Sequence, residues 1–155
     1  MLLRVLFLII LSVFVLPLNS QKCTNCQKQP TCLNINKVRG FSYNGQSSGI
    51  NVEINNTYRT SMVLYGKRDY FFNFCTNKEF KPVQYKLINT DTGELIYENV
   101  ADNYSPSVAF TLDETMTVTV ECLVKAEKLK PRNFDENRCC LGILVMYKQV
   151  PKLGF

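Results

Sequence analysis

The sequence predicts an all-β protein: an antiparallel β-sandwich or jelly roll of about eight strands, preceded by an irregular, cysteine-rich amino-terminal segment. The clearest observation is the run 115–124, TMTVTVECLV, in which polar and apolar residues alternate. A period of two is expected of a strand with one buried face and one solvated face. Similar short runs fill most of residues 50–150. Short connections favour antiparallel pairing, and eight short strands favour two packed sheets over one open sheet.

The predicted strands follow one another at short intervals along the chain. They cover residues 50–54, 58–65, 69–75, 82–87, 94–100, 108–112, 115–124 and 139–150. In the third strand, Phe71 falls on the opposite face from Tyr70 and Phe72, which is typical of a central strand covered on both sides. The charged residues 126–138 include Pro131, so we expect a long exposed loop there.

The first twenty residues are typical of a secretory signal peptide. Arg4 precedes the apolar run 5–18, and the small residue Ser20 is suited to a cleavage site. The alternative is an uncleaved anchor, but the run is shorter than the roughly 20 residues that span a bilayer. We therefore expect a secreted protein (periplasmic, cell-surface or extracellular) with no transmembrane span after cleavage. The expected divisions are a signal peptide (1–20), a Cys-rich irregular segment (21–49), a β-sandwich domain (50–150) and a tail (151–155).

Composition and charge disfavour several classes of function. The net charge is +5, and the basic residues are spread along the chain without interleaved aromatics, so no nucleic-acid partner is expected. Histidine is absent, which removes the commonest general base and the commonest zinc partner of cysteine. We also find no nucleophile and base pattern and no Gly-rich phosphate loop, and we expect no enzyme activity, no metal and no cofactor.

Seven cysteines follow the predicted signal peptide, and in an exported protein they are expected to form disulfides. They are Cys23, Cys26, Cys32, Cys75, Cys122, Cys139 and Cys140. Because seven is odd, at least one is free, buried or bonded to another chain. The spacing of Cys23 and Cys26 also suits a thiol–disulfide redox protein, but no strand–helix context surrounds it. A zinc site that adds Cys32 to this pair lacks a fourth ligand.

Two short stretches carry a resemblance to a known kind of protein. Residues 64–70, LYGKRDY, and 87–97, LINTDTGELIY, resemble the strand entry and the central hairpin of secreted bacterial β-sandwiches of the pre-peptidase C-terminal domain type. Phe74-Cys75 and residues 140–144, CLGIL, are similar to a pattern in small, uncharacterised secreted bacterial proteins. The resemblance covers residues 60–148 and implies an exported, non-catalytic module without a defined ligand.

The same resemblance implies a bridge between Cys75 and Cys140, joining the third strand to the last. Such a bridge would stabilise the fold by about 2–4 kcal/mol through its long loop. A Cys122–Cys139 pair is a second expectation, and the alternative for Cys122 is a plain buried thiol.

Possible glycan chemistry gives two further expectations. Asn55-Asn56-Thr57 and Asn103-Tyr104-Ser105 match the N-glycosylation pattern, so Asn55 and Asn103 are acceptors if the source uses a eukaryotic secretory pathway. The abundant aromatics suit a carbohydrate-binding module, although tryptophan is absent and most aromatics have the phase of core residues. We predict an exported, non-enzymatic binding or structural module with an unidentified protein or glycan partner; the alternatives are the redox protein and the carbohydrate-binding module.

Overall fold

The computed structural model describes residues 23, 25–33, 38–76, 80, 82–126 and 137–150. The predicted signal peptide, most of the predicted loop 126–138 and the predicted tail 151–155 lie outside these residues. Within them are two 3-10 turns, Cys26–Lys28 and Asn99–Asp102. The strands are β1 (Ser42–Tyr43), β2 (Ser48–Glu53), β3 (Thr57–Leu64), β4 (Arg68–Cys75), β5 (Val83–Asn89), β6 (Leu95–Glu98), β7 (Ser107–Leu112), β8 (Met116–Val124) and β9 (Arg138–Gln149). In this part of the chain, no helix is long and apolar enough to cross a membrane.

The strands form two antiparallel sheets that pack together as a β-sandwich, which confirms the predicted fold class. One sheet has the order β1-β9-β4-β7, with β2 also paired to β9, and the other has the order β3-β8-β5-β6. All eight predicted strands are present. The ninth, β1, lies in the segment predicted to be irregular. It pairs with the end of β9, because β9 is long enough to accept β2 along one part and β1 along another.

Alternate residues of each central strand form the core between the sheets. On β4 the inward residues are Tyr70, Phe72 and Phe74, which are almost fully buried. On β8 every second residue from Val118 to Val124 is buried, as the alternating sequence predicts. Burying each large apolar side chain contributes about 1.5–3 kcal/mol. The buried hydrophobic faces of the central strands therefore supply the main driving force for packing the two sheets together.

A second, smaller cluster lies on the outer face of the five-stranded sheet. There Phe71 and Cys75 of β4 and Leu144 of β9 pack against Cys26 and Val38 of the amino-terminal segment. Central strand β4 is thus covered on both sides, as predicted. The covering segment brings the cysteine-rich part of the sequence onto the sheet and creates the features described next.

Two glycines allow the amino-terminal segment to approach the sheet this closely. Gly49 of β2 and Gly142 of β9 are direct partners in the register. A Cβ atom on Gly49 would lie 2.3 Å from the carbonyl oxygen of Cys23, and one on Gly142 would lie 2.6 Å from Sγ of Cys75. The 3-10 turn Cys26–Lys28 rests on this side-chain-free strip, because any side chain there would occupy the space of the turn.

Candidate functional site: a cleft beside a disulfide

Two disulfides fasten the amino-terminal segment to the outer face of the five-stranded sheet. They join Cys23 to Cys140 and Cys32 to Cys75. The predicted Cys75–Cys140 bridge is therefore wrong. Both cysteines do lie on the outer face, but the register places Cys75 opposite Gly142 rather than opposite Cys140. Each is reached instead by a cysteine of the segment that covers this face.

The other three cysteines, Cys26, Cys122 and Cys139, are buried free thiols. The predicted Cys122–Cys139 pair is wrong, and the alternative of Cys122 as a plain buried thiol is confirmed. Cys23 and Cys26 are not bonded to each other. Desolvation raises the pKa of the Cys26 thiol, whereas a redox nucleophile needs a lowered one. The arrangement of this pair gives no support to the redox alternative.

The buried thiols lead to a prediction about pH. Burial, with a smaller contribution from nearby Cys26, raises the pKa of Cys139 to about 11, and burial also raises the pKa of Cys122. An unfolded thiol has a pKa of about 8.5. Above that pH the unfolded chain loses protons that the folded protein keeps, so the free energy of unfolding falls as pH rises, by about 1.4 kcal/mol per pH unit for each thiol. For Cys139 this decline ends near its folded pKa.

Urea unfolding between about pH 8 and about pH 10 measures this slope. The matched control is the double variant Cys122→Val/Cys139→Val, which keeps similar volume but has no thiol proton at either position. We expect a clearly shallower decline in this variant. An equal slope in both proteins would contradict the assignment of these residues as free thiols.

A cleft of about 400 Å³ opens beside the Cys32–Cys75 bridge, at the carboxyl end of β4. The amino-terminal segment forms one wall, the β6–β7 connection forms the other, and Phe71, Phe74 and Cys75 of β4 line the space between them. The other described residues that line it include Pro30, Thr31, Asn73, Tyr104, Pro106 and Ser107.

The wall formed by the amino-terminal segment is held by covalent and hydrogen bonds. Pro30 and Thr31 directly precede Cys32, whose bridge to Cys75 fixes their distance from β4. The side-chain amide of Asn73 donates to the carbonyl oxygen of Cys32. This wall therefore depends on the Cys32–Cys75 bridge more than on any strand pairing.

The opposite wall is organised by Asn99, a fully buried polar residue. Its Oδ1 accepts from the backbone N–H of Tyr85 at 2.9 Å, and its Nδ2 donates to the carbonyls of Val83 at 2.8 Å and Ser105 at 3.1 Å. A buried amide with its donors and acceptor satisfied fixes its surroundings strongly. Asn99 thereby ties the β6–β7 connection to β5.

Tyr104, at the rim of the cleft, has an unusual backbone conformation. Asn103 and Tyr104 are consecutive residues with φ of 48° and 57°. The left-handed region costs an L-residue roughly 1–2 kcal/mol, and asparagine tolerates it better than tyrosine. The N–H of Tyr104 donates to the carbonyl of Asn99 at 2.8 Å, which helps to hold this conformation. Tyr104 as a whole is 36% exposed. Strain of this kind is concentrated at binding sites.

The described part of the cleft lining carries no charge. Every described residue that lines it is uncharged. Within the described ranges there is also no group of three or more Cys, Asp or Glu side chains that could hold a metal ion. Against these described residues, a ligand with a full charge would lose its hydration without gaining a counter-charge. The chemistry of the cleft therefore suits an uncharged ligand with apolar and hydrogen-bonding groups.

Of the site residues predicted from the sequence, Cys75 alone is among the described residues that line this cleft. Asn55 lies at the β2–β3 turn, where its side chain exchanges two hydrogen bonds with the backbone of Ala126. Asn103 is exposed and adjoins the rim residue Tyr104. Glycosylation at either asparagine remains a prediction. Sequence reasoning missed Tyr104 and Asn99. Asn99 fell within the predicted strand 94–100, and the positive φ angle of Tyr104 leaves no signal in a tyrosine.

Comparison with known protein families and with curated proteins finds no match to this chain. Among solved structures, the chain is similar to PliG of Aeromonas hydrophila, a periplasmic lysozyme inhibitor of g-type lysozyme. The sequence identity is 7%, the TM-score is 0.44, and the match covers 66% of this chain and 84% of that chain. The β-sandwich assignment rests on the two sheets themselves.

Proposed function

We propose that the protein is an exported, non-enzymatic binding module that holds an uncharged segment of a protein partner in the cleft beside Cys32–Cys75. The observation that carries this proposal is the cleft whose described lining is uncharged, with Tyr104 held at its rim in a strained conformation. Export is supported by the signal-like residues 1–20 and by the two disulfides, which persist in oxidising compartments.

The composition of the cleft favours a peptide segment over other neutral ligands. Phe71, Phe74, Pro82 and Pro106 provide apolar surface, while Asn73 brings an amide to the same space. Pockets with mainly apolar walls and a few fixed polar groups suit side chains and backbone amides together. A sugar ring is the second candidate, favoured by one observation, the exposed ring of Tyr104, because tyrosine can stack on a sugar face.

Chemical-shift mapping of the ¹⁵N-labelled, oxidised protein tests the proposal and separates the two candidates. The probes are blocked, uncharged tetrapeptides containing leucine, proline and glutamine, and a set of neutral disaccharides. We expect the amides of Asn73, Tyr104 and Ser107 to shift with peptides. Shifts at these amides with disaccharides alone would identify a glycan module. Shifts with neither probe at millimolar concentration would refute the cleft as a binding site.

Variants at Tyr104 should separate stability from binding. Tyr104→Gly removes the left-handed strain, so we expect the free energy of unfolding to rise by about 0.5–1 kcal/mol. The same change removes the rim ring, so the peptide-induced shifts should fall. Tyr104→Ala is the matched control, because it removes the ring but keeps a Cβ in the strained conformation, and it should gain no stability. Urea unfolding and the same titration measure both effects; unchanged peptide binding in Tyr104→Gly would contradict the role of the ring.

A further inference from the structure

At the end of the sandwich opposite the cleft, the side chain of Arg68 lies over two tyrosine rings. Its guanidinium carbon is 5.1 Å from the ring centre of Tyr65 and 4.7 Å from that of Tyr147. Both distances are within the range of favourable cation–π contacts. Arg68 begins β4 and Cys75 ends it, so about 3.3 Å per residue places this group roughly 23 Å from the cleft end.

The charge of Arg68 has no acidic partner among the described residues. The ion pairs found there are Arg59–Glu121 and Lys86–Glu98. The guanidinium of Arg68 likewise makes no hydrogen bond to any described residue, so among these residues the two rings are its contacts and its N–H donors have no acceptor. Those donors form a rigid fork that matches the two oxygens of a carboxylate.

The turn that carries Tyr65 is fixed before any partner binds. The backbone N–H of Tyr65 donates to the hydroxyl of buried Tyr70 at 2.7 Å, and that hydroxyl donates to the carbonyl of Tyr65 at 3.2 Å. The N–H of Gly66 donates to Oγ1 of Thr115 at 3.0 Å. Although its backbone is fixed, Tyr65 is 53% exposed. A rigid, exposed tyrosine beside an arginine is typical of interface hot spots, because little entropy is lost on binding.

We propose that Tyr65, Arg68 and Tyr147 form a second docking site, independent of the cleft, for a protein segment that presents one carboxylate between apolar side chains. The carboxylate would accept from the fork of Arg68, and the apolar groups would contact the exposed ring of Tyr65. Val150 extends the apolar area: its N–H donates to the carbonyl of Lys67 at 3.2 Å, and it is 38% exposed.

The charges around this site favour a single carboxylate over a polyanion. Lys67 is exposed beside Arg68, but Asp113 and Glu114 lie in the neighbouring β7–β8 turn, against Gly66. Asp69 is engaged as an acceptor from Thr111 at 2.8 Å. A sulfated glycan, which carries many charges, would meet these carboxylates, whereas one carboxylate at Arg68 would not need to approach them.

The test follows the side-chain Nε–H resonance of Arg68 by NMR. The probe is a blocked pentapeptide with one glutamate between two leucines, and the matched probe has glutamine in place of glutamate. We expect the Arg68 signal to shift with the glutamate peptide, and to do so more weakly as salt is added. Arg68→Lys keeps the charge but loses the fork, and it should weaken binding roughly fivefold to tenfold.

Two further variants keep the result interpretable. Tyr65→Ala removes an exposed ring without changing the core, and it should also weaken binding of the glutamate peptide. Arg59→Gln removes an exposed cation that is already paired with Glu121 at 2.6 Å, and it should leave binding unchanged. The proposal would be overturned if the Arg68 resonance did not shift with the glutamate peptide at millimolar concentration. It would also be overturned if the resonance shifted equally with the glutamine peptide. Binding only of a sulfated oligosaccharide would also overturn it. Shifts at Asn73 and Tyr104 report the cleft separately.

Discussion

Removing the Cys23–Cys140 bridge should lower the free energy of unfolding by about 5 kcal/mol, and removing Cys32–Cys75 should lower it by about 4 kcal/mol. The bridges close loops with sequence separations of 117 and 43 residues. In the chain-entropy treatment, a longer loop restricts the unfolded chain more, which gives these two values. The shorter loop lies inside the longer one. Removing both bridges should therefore lower the free energy of unfolding by less than the sum of the two separate losses. Urea unfolding of Cys23→Ala/Cys140→Ala and Cys32→Ala/Cys75→Ala measures them.

Peptide mapping without reduction provides the direct check on the pairing. The oxidised protein should yield one peptide pair that contains Cys23 with Cys140 and another that contains Cys32 with Cys75. Cys26→Ala is the control for stability, since it removes a buried sulfur but no bridge, and it should cost no more than about 1–2 kcal/mol. A pair containing Cys75 with Cys140 would contradict the structure and restore the bridge implied by the family resemblance.

The two bridges should differ in their effect on the cleft. Cys32 directly follows the wall residues Pro30 and Thr31, whereas Cys23 lies earlier in the chain. Loss of Cys32–Cys75 should therefore abolish the peptide-induced shifts at Tyr104 even under conditions where the variant is folded. Comparing the two bridge variants in this way tests whether peptide binding in the cleft depends on how the amino-terminal segment is fixed to the sheet.

Replacing Gly142 by alanine should lower the free energy of unfolding by about 3 kcal/mol. The new Cβ would lie 2.6 Å from Sγ of Cys75 and 3.0 Å from the backbone nitrogen of Gln27. Neither atom can move easily, because Cys75 is bridged and Gln27 lies in the 3-10 turn pressed onto the sheet. Overpacking of this kind typically costs about 1–3 kcal/mol, and more where backbone must shift. Gly49→Ala should behave similarly, because its Cβ would lie 2.3 Å from a backbone oxygen.

A second measurement identifies which part of the molecule is displaced by the new Cβ in Gly142→Ala. If the amino-terminal segment is displaced in Gly142→Ala, the thiol of Cys26, which this segment buries against the sheet, should react faster with an alkylating reagent, while the core thiol of Cys122 stays protected. Gly45→Ala is the matched control: its Cβ would meet nothing within 4 Å, so stability should change by less than about 0.5 kcal/mol. Equal losses in Gly45→Ala and Gly142→Ala would show that close approach is not the cause.

The pattern of residues along the chain determined the fold class. Alternation with a period of two is a local property, and a strand that buries one face must show it whatever its neighbours are. For this reason β8 and β4 were predicted with their correct buried faces, and Phe71 correctly indicated a sheet covered on both sides. The odd number of cysteines likewise required an unpaired or intermolecular cysteine, and buried Cys122 was among the alternatives.

The tertiary structure alone decided which cysteines meet and where a ligand could bind. Bridge partners depend on strand register and on which segment covers the outer face, and neither is encoded in the spacing of Cys75 and Cys140. The conformation of Tyr104 is held in part by its hydrogen bond to the carbonyl of Asn99, and the side chain of Asn99 is itself fixed by backbone groups of β5. The cleft arises from this same long-range packing, because its two walls come from segments about 70 residues apart, at Thr31 and Tyr104.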